Sequence, residues 1–200
     1  MTEIIQQGGI IMYPLILCSV ASFAAIIDRT LFWIYVKRKR NQPLVDEVLS
    51  LCAQRQWDEV REKTRGSRDY MIRILVSGIL HRDFSMAKAM ESAAAAEIKK
   101  MRRFMGVIDT MITAAPLLGI LGTVTGIIAS FKAFGGYGLD NPAAVMAGIA
   151  QALVTTAFGL GIAIFSVFPY NYFYSRIESA ATEIETCATS LEIVFEKGTP

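Results

Sequence analysis

Apolar residues in this chain are gathered into three long runs separated by polar sequence. The runs cover Gly8 to Ile27, Val107 to Phe131 and Ala143 to Tyr174; the second is uncharged from Thr110 onward and the third throughout. A bilayer core about 30 Å thick needs about 20 apolar residues in a helix, so each run is long enough to span it. The pattern predicts an all-α, polytopic membrane protein with three transmembrane helices, at about residues 8–36, 105–134 and 143–174.

Small residues recur at steps of three or four along the second and third runs. The stripe on the second run is Ala115, Gly119, Gly122, Gly126 and Ala129, and the stripe on the third is Gly148, Ala152, Thr155, Gly159 and Ala163. Positions three or four apart share one helix face, and small side chains let helices approach closely in lipid. The sequence therefore predicts that these two helices pack against other helices.

Hydroxyl and carboxamide side chains lie at mid-depth of the same two runs. They are Thr123, Thr125, Thr155, Thr156 and Gln151. A hydroxyl in hydrocarbon either donates to a carbonyl four residues earlier on its own helix or faces another polar group, and both readings are open for each threonine. A carboxamide is costlier still to leave without partners. The clustering at matching depth favours a shared polar path between helices.

Two residues near the start of the second run interrupt its pattern. Pro116 frees a carbonyl about one turn earlier, and Thr113 is expected to be close enough to help satisfy that group. Asp109 lies seven residues before Pro116, near the end of the span. Its carboxylate is either an interfacial, solvated group or a port through which ions leave or reach the membrane, and the sequence leaves both open.

The first run ends in an adjacent pair of opposite charges, Asp28 and Arg29. A charge at the centre of a bilayer costs about 2.5 to 3.5 kcal/mol on insertion scales. The pair is therefore expected near an interface and paired locally, as an anchor in preference to an ion-conducting element.

Basic residues flank the membrane runs asymmetrically. Lys37 to Arg40 follow the first run, close to Trp33 and Tyr35, and four more basic residues between Lys99 and Arg103 precede the second. The positive-inside rule places both clusters on the cytoplasmic side. The predicted topology has the N-terminus outside and the C-terminus in the cytoplasm, with a short outer loop at 135–142.

The polar region between the first two runs carries a helical pattern of apolar residues, so it is predicted to be a helical module. Turns are expected at Gly66-Ser67 and Asp83–Ser85, with Ser85 as a helix N-cap, and an unbroken helix from Met86 into the membrane. After the third run, Ile177, Ile184 and Leu191 recur every seven residues, which predicts a helix packed on that module. The predicted domains are residues 1–36, 37–104, 105–174 and 175–200.

Composition changes this picture little. The chain has 53% hydrophobic residues and a net charge of +2, and 16 of its 20 lysines and arginines lie between Lys37 and Arg103. That basic loop is expected to face anionic membrane lipid and not nucleic acid, because its basic residues do not interleave with aromatic residues in a binding module. Three distant cysteines and one histidine give no metal, redox or catalytic pattern, so neither an enzyme nor a cofactor is expected.

Two stretches of the membrane runs carry a family signature. Ala115-Pro-Leu-Leu-Gly-Ile-Leu-Gly-Thr-Val-Thr-Gly126 is followed by Gly148-Ile-Ala-Gln-Ala-Leu-Val-Thr-Thr-Ala-Phe-Gly-Leu160. This pattern closely resembles the ExbB/TolQ/MotA family of proton-channel motor subunits, and the three-span layout is nearer to ExbB and TolQ than to the four-span MotA. The resemblance extends more weakly over most of the chain.

The resemblance implies a bacterial inner-membrane ring, a homo-oligomer of five subunits in the better-known members. The ring surrounds a pair of single-span partner chains of the ExbD/TolR type, which carry the ion-binding aspartate. Residues 105–174, the second and third helices, would then line the pore of the ring. Carried over by position, Thr123 and Thr156 would be the pore-facing hydroxyls. Gln151 is a departure, because ExbB and TolQ usually have glutamate there, and Asp28-Arg29 replaces the usual Glu-Arg.

The transported ion, H⁺ or Na⁺, stays open. A proton passes along hydroxyls and water, whereas sodium needs several oxygen ligands close together. Thr155 and Thr156 are about 100° apart on a helix, so one can face a partner helix while the other faces Thr123. Sodium-driven relatives of MotA resemble this chain in having a Thr-Thr pair.

Two further functions compete with a motor. The glycine stripes alone would serve a non-conducting oligomeric membrane scaffold. A substrate permease is disfavoured, because three spans without inverted repeats make a poor alternating-access site.

Overall fold

The computed structural model of the chain is all-α, as the apolar pattern predicts. It describes residues 8–137 and 142–197, with side chains described in residues 8–132 and 145–195. These residues form seven helices, which are α1 (Met12–Lys39), α2 (Gln42–Ala53), α3 (Trp57–Thr64), α4 (Tyr70–Leu80), α5 (Met86–Met101), α6 (Met105–Tyr137) and α7 (Pro142–Lys197). Three segments are long and apolar enough to cross a membrane: Met12–Lys39, Met105–Lys132 and Val145–Phe195. The prediction of an all-α chain with three apolar spans is confirmed.

Contacts divide the chain into two compact units. The first unit is Met1–Arg29 with Phe104–Phe173, and the second is Thr30–Arg103 with Tyr174–Pro200. The first unit holds the small-residue stripes and the membrane hydroxyls. The second holds α2 to α5 and the C-terminal part of α7.

The turns of the second unit lie where their sequence predicts them. Gly66 separates α3 from α4 with a φ of 80°, a left-handed conformation that glycine adopts without a side-chain clash. Asp69 caps α4 by accepting from the Met71 backbone N–H at 2.9 Å, and it also accepts from the Asn41 N–H at 2.7 Å. Ser85 occupies the N-cap position of α5, but its hydroxyl makes no capping bond.

The core of the second unit uses the helical periodicities read from the sequence. Val48 and Leu51 of α2 and Ile72, Leu75 and Ile79 of α4 are buried. On α7 the seven-residue repeat Ile177, Ile184 and Leu191 is buried as well, together with Ala180 and Cys187. The C-terminal helix therefore contributes one apolar face to this core.

The prediction of an unbroken helix from Met86 into the membrane is wrong. α5 ends at Met101, and Phe104 adopts a left-handed backbone with a φ of 61° before α6 begins at Met105. That conformation breaks the ladder of backbone hydrogen bonds, and it is unfavourable for an aromatic residue. The Arg29 guanidinium lies 5.9 Å from the centre of the Phe104 ring. This tertiary contact accompanies the break, which the helix-forming residues on either side do not predict.

The third apolar run and the C-terminal helix form one element. α7 continues through Pro169 to Lys197, since membrane helices accept an internal proline when neighbouring groups satisfy the freed carbonyl. The outer loop predicted at 135–142 begins later than expected, because α6 continues to Tyr137. Residues 138–141 lie outside the described residues.

Candidate functional site

The second and third membrane helices, α6 and α7, run antiparallel and meet through the small-residue stripe of α6. Ala115, Gly119, Gly122 and Gly126 are buried there. A methyl group added to Gly119 would lie 3.1 Å from the Thr155 carbonyl oxygen, and one added to Gly122 would overlap the Thr155 side chain. The α6 backbone therefore approaches α7 to a distance that only glycine permits.

The stripe of α7 makes the other half of this contact. Gly148, Ala152 and Gly159 are buried; a methyl group on Gly159 would overlap the Ala115 carbonyl oxygen, and one on Gly148 would overlap the Ser130 hydroxyl. Two stripe residues do not follow the prediction, because Ala129 is exposed and Ala163 is only half-buried. A straight helix drifts away from a fixed step, so the adjacent Ser130 takes the place of Ala129 in the buried face, and Ser166, three residues beyond Ala163, is buried.

The close approach brings two predicted hydroxyls together. The Thr123 and Thr156 hydroxyl oxygens lie 2.7 Å apart, across the two helices. Each is also 3.1 Å from the Gly119 carbonyl oxygen, within its own helix for Thr123 and across the contact for Thr156. The three oxygens form a small polar site inside an otherwise apolar pair of helices, and both threonines are half-buried.

The two threonine hydroxyls of this site can accept further hydrogen bonds. Each hydroxyl has one proton and two lone pairs, and the carbonyl has only lone pairs. Thr156 donates to Thr123 while Thr123 donates to Gly119, or the order of the two hydroxyls is reversed with the same number of bonds. In either order at least one hydroxyl lone pair stays open to an outside donor. The pair can thus accept a hydrogen bond from an outside donor. The direction of the hydrogen bond between the two hydroxyls can also reverse.

Thr155, the neighbour of Thr156, is placed differently. Its side chain is fully buried against Gly122, and its hydroxyl donates to the Ala152 carbonyl at 2.9 Å and the Gln151 carbonyl at 3.2 Å. Thr125 bonds its own helix in the same way, at 3.0 Å from the Gly122 carbonyl. Of these four threonines, only Thr123 and Thr156 bond across helices.

Gln151 lies one turn from Thr155, beside the start of the first apolar run. A methyl group added to Gly9, whose φ is 64°, would overlap the Gln151 carboxamide. The carboxamide therefore packs against the backbone at Gly9, where the left-handed φ and the lack of space both suit glycine. This contact involves a residue that the sequence did not connect with the site.

The polar residues at the start of α6 lie apart from the hydroxyl pair. Asp109 is exposed. Thr113 was expected to help satisfy the carbonyl freed by Pro116, but its hydroxyl donates to the carbonyls of Thr110 at 3.0 Å and Asp109 at 3.3 Å. Pro116 is half-buried within a continuous α6, next to Ala115, which is fully buried.

The charged pair on α1 forms a local ion pair. The Arg29 Nη2 and Asp28 Oδ2 atoms are 2.5 Å apart, with Arg29 only 3% exposed and Asp28 44% exposed. The buried guanidinium also lies beside the Phe104 ring. Asp28 is therefore engaged with its neighbour, and no hydroxyl of the α6–α7 site contacts it among the bonds of the described side chains.

The sequence missed two serine contacts that join the same helices. Ser22 of α1 and Ser166 of α7 have hydroxyl oxygens 2.5 Å apart, and both side chains are buried. Ser130 of α6 donates to the Val145 carbonyl of α7 at 3.1 Å. The step from Gly126 to Ser130 and the step from Gly159 to Ser166 continue the two stripes, so the same spacing could have predicted both serines. Nothing in the sequence singled out Ser22.

Comparison with known proteins places this arrangement in a family. Residues 67–186, more than half of the chain, match the MotA/TolQ/ExbB proton channel family. The ExbB-like 3 protein of Synechocystis sp. is 32% identical over 96% of this chain and 93% of its own length. The ExbB-like 1 protein of the same organism is 33% identical over 96% of this chain and 77% of its own length.

A relative with a different name matches a shorter part of the chain. The Tol-Pal system protein TolQ of Pseudomonas aeruginosa is 33% identical over 56% of this chain and 48% of its own length. The family match covers both membrane stripes and the hydroxyl pair between them, as the resemblance predicts. The chain belongs to the MotA/TolQ/ExbB proton channel family.

Proposed function

We propose that this chain is the ring-forming subunit of an ion-driven motor in the bacterial inner membrane. In this proposal the ion passes between α6 and α7 and moves a single-span partner of the ExbD/TolR type. The observation that carries the proposal is the hydroxyl site formed by Thr123, Thr156 and the Gly119 carbonyl. A pair of helices built only for packing has no need of a polar site with open acceptor capacity at mid-depth.

The ion-binding carboxylate has to come from another chain. The second run has no charge from Thr110 to Phe131, and the third has none from Ala143 to Tyr174. Asp109 precedes Thr123 by fourteen residues, about 21 Å along a helix. The hydroxyl pair is therefore suited to receive a proton from a partner aspartate and not to hold one as a carboxylic acid would.

A groove beside the hydroxyl pair supports the approach of a partner helix. It has a volume of about 460 Å³, and Thr123 and Ser130 line it together with apolar side chains that include Ile127, Phe131 and Leu153. An apolar helix with one aspartate is suited to such a groove, because its apolar side chains would pack on the groove while its carboxyl group lies near Thr123. Two partner helices inside a ring of five subunits is the stoichiometry that the family resemblance implies.

The topology proposed for the motor follows the distribution of basic residues. α1 ends in Lys37, Arg38 and Lys39, and Lys99 and Lys100 lie in the last turn of α5. By the positive-inside rule this side is the cytoplasm, with the N-terminus outside.

The proposed ion is the proton. Sodium would need several oxygen ligands that converge on one point. The Thr155 side chain, the further ligand that a Thr-Thr pair would supply, is fully buried against Gly122, so its oxygen is not open to an ion. Two hydroxyls and one carbonyl are enough to relay a proton and too few to replace the hydration of Na⁺.

Reconstitution with a partner tests the function. The chain is co-expressed with a small single-span protein that carries a membrane aspartate, and the purified complex is placed in liposomes with a pH gradient. A stable complex that dissipates the gradient, and that stops doing so when the partner aspartate is changed to asparagine, is expected. A stable ring that binds no such partner and passes no ions would instead identify a non-conducting scaffold.

A further inference from the structure

The second unit contains a basic groove where α1 leaves its apolar run. The groove has a volume of about 210 Å³, and its wall is formed by α1, α4 and α5. Four cations line it: Lys39, Arg68, Arg73 and Lys100. Two carboxylates, Asp69 and Glu97, also line it, so the formal charge of the lining is +2.

Both carboxylates are already engaged by protein groups. Asp69 is fully buried and accepts from the Asn41 and Met71 backbone N–H groups, with the Arg40 guanidinium at 3.3 Å. Glu97 is 10% exposed and is shared by Arg73 at 2.9 Å and Lys100 at 2.8 Å. Neither carboxylate is therefore available to neutralise the remaining cations of the groove.

The remaining cations are Lys39 and Arg68. Both are exposed, and neither forms an ion pair with any residue that the structure describes. The Lys39 ammonium lies 6.0 Å from the centre of the Tyr35 ring, which also lines the groove and helps to position the ammonium. A lysine and an arginine that line one cavity and have no acidic partner are suited to bind one anionic phosphate group.

The other wall of the groove is apolar and belongs to the membrane end of α1. It is formed by Phe32, Tyr35 and Val36, together with Met101 of α5. Leu31, one turn before Tyr35 on the same helix face, is 62% exposed. A soluble phosphate ion gains no favourable contact from such an apolar wall, whereas an acyl chain is able to pack along it.

We propose that this groove binds the headgroup of an anionic phospholipid, with the phosphodiester between Lys39 and Arg68 and an acyl chain along Leu31 and Tyr35. Basic pockets at the ends of membrane helices bind anionic headgroups in this way. The site is separate from the hydroxyl pair, so the proposal does not depend on ion flow. It ties one lipid to the junction of α1, α4 and α5.

Titration of the purified full-length oligomer in neutral detergent tests the site. Phosphatidylglycerol and phosphatidylcholine are added separately, and the bound lipids are counted by native mass spectrometry. The parent protein is expected to bind one phosphatidylglycerol per protomer at least tenfold more tightly than phosphatidylcholine. The double variant Lys39→Gln, Arg68→Gln is expected to bind phosphatidylglycerol about twenty-fivefold more weakly, because each lost cation weakens binding by a factor of about five.

Two further variants keep the test decisive. Lys37→Gln, Arg38→Gln removes two charges from the same turns of α1 but outside the groove, and is expected to change the affinity by less than about threefold. Lys39→Arg, Arg68→Lys keeps both charges and is expected to retain binding even if the glutamine variant fails to fold. The proposal would be overturned by an equal loss in the Lys37, Arg38 variant, by equal affinity for the two lipids, or by displacement of bound lipid by free glycerol phosphate at equal concentration.

Discussion

The Thr156 hydroxyl reaches across to the Gly119 carbonyl at 3.1 Å, the same carbonyl that the Thr123 hydroxyl contacts from its own helix. A side chain at position 119 would hold the two backbones apart and remove this bond, since a methyl group there already lies 3.1 Å from the Thr156 Cα. The glycine stripe and the hydroxyl pair are therefore parts of one arrangement. The packing of α6 on α7 creates the polar site.

Thr155→Val tests whether the second threonine of the pair is only structural. Valine fills the same space, and the lost hydroxyl bonded only the carbonyls of Gln151 and Ala152 within its own helix. We expect ion flow through the reconstituted complex to stay within about twofold of the parent at every sodium concentration tested at fixed pH. Sodium-dependent flow in the parent that disappears in Thr155→Val would restore Thr155 as a sodium ligand.

Gly159→Ala and Gly161→Ala form a matched pair two residues apart on α7. A methyl group at Gly159 overlaps the Ala115 carbonyl, whereas one at Gly161 meets nothing within 4 Å. We expect Gly159→Ala to lower the free energy of unfolding by about 1 to 3 kcal/mol and to reduce ion flow, because overpacking pushes α6 away. Gly161→Ala should be neutral or slightly stabilising. Unfolding in mixed micelles measures both, and equal stability of the two variants would contradict the close packing.

The Ser22–Ser166 contact predicts a measurable coupling between α1 and α7. Membrane hydrogen bonds contribute about 0.6 kcal/mol on average and at most about 1.7 kcal/mol. Ser166 keeps a bond to the Ile162 carbonyl at 2.7 Å when Ser22 is removed, so Ser22→Ala should cost little more than the pair itself. A double-mutant cycle with Ser22→Ala and Ser166→Ala is expected to give a positive coupling in this range. Strict additivity would mean that the serine contact contributes nothing.

Cys52 is predicted to be an unreactive thiol. It is 2% exposed in the core of the second unit, and burial raises its pKa to about 11. At pH 8 about one molecule in a thousand would carry the thiolate, against about a quarter for an ordinary cysteine. In a Cys18→Ser, Cys187→Ser background, alkylation should be at least about a hundredfold slower than that of the denatured chain and should accelerate as the pH rises toward 11. Equal rates for the folded and denatured chains would contradict the buried position.

Periodicity was enough to predict most of the α6–α7 contact. Small residues at every third or fourth position allow membrane helices to pack closely. Gly119, Gly122 and Gly126 are buried, as close packing requires. The step pattern lost register at its ends, where Ser130 replaced Ala129. The stripe read from the sequence assumes a fixed spacing of three or four residues. The residues that are buried depend instead on the path of the neighbouring helix.

The break at Phe104 could not be predicted in the same way. The alanine run of α5 and the apolar start of α6 both favour helix, so local propensity argues for continuity. The left-handed Phe104 occurs with a contact to Arg29, which is 75 residues earlier in the chain. The contact of Ser22 could not be predicted from local sequence either, because its partner Ser166 is 144 residues away. Contacts of this kind depend on which helix faces are brought together, and no local pattern records that.

The hydroxyl pair itself was predicted through the resemblance and through the matching depth of the threonines. What the sequence left open was which threonine bonds its own backbone. The geometry separates them, since Thr123 and Thr156 bond each other whereas Thr125 and Thr155 bond within their helices. Thr125 is therefore a matched control for Thr123, on the same helix and with the same side chain.

Proton flow through liposomes that contain the complex with its aspartate partner tests the central claim most directly, when it is compared among Thr123→Val, Thr156→Val, Thr123→Ser and Thr125→Val. We expect either valine change at the pair to slow the flow about a hundredfold, in the range of a lost proton-transfer group. Thr123→Ser keeps the hydroxyl and should conduct within a few-fold of the parent, and Thr125→Val should be unchanged. Valine variants at Thr123 and Thr156 that conduct as fast as Thr125→Val would contradict the account.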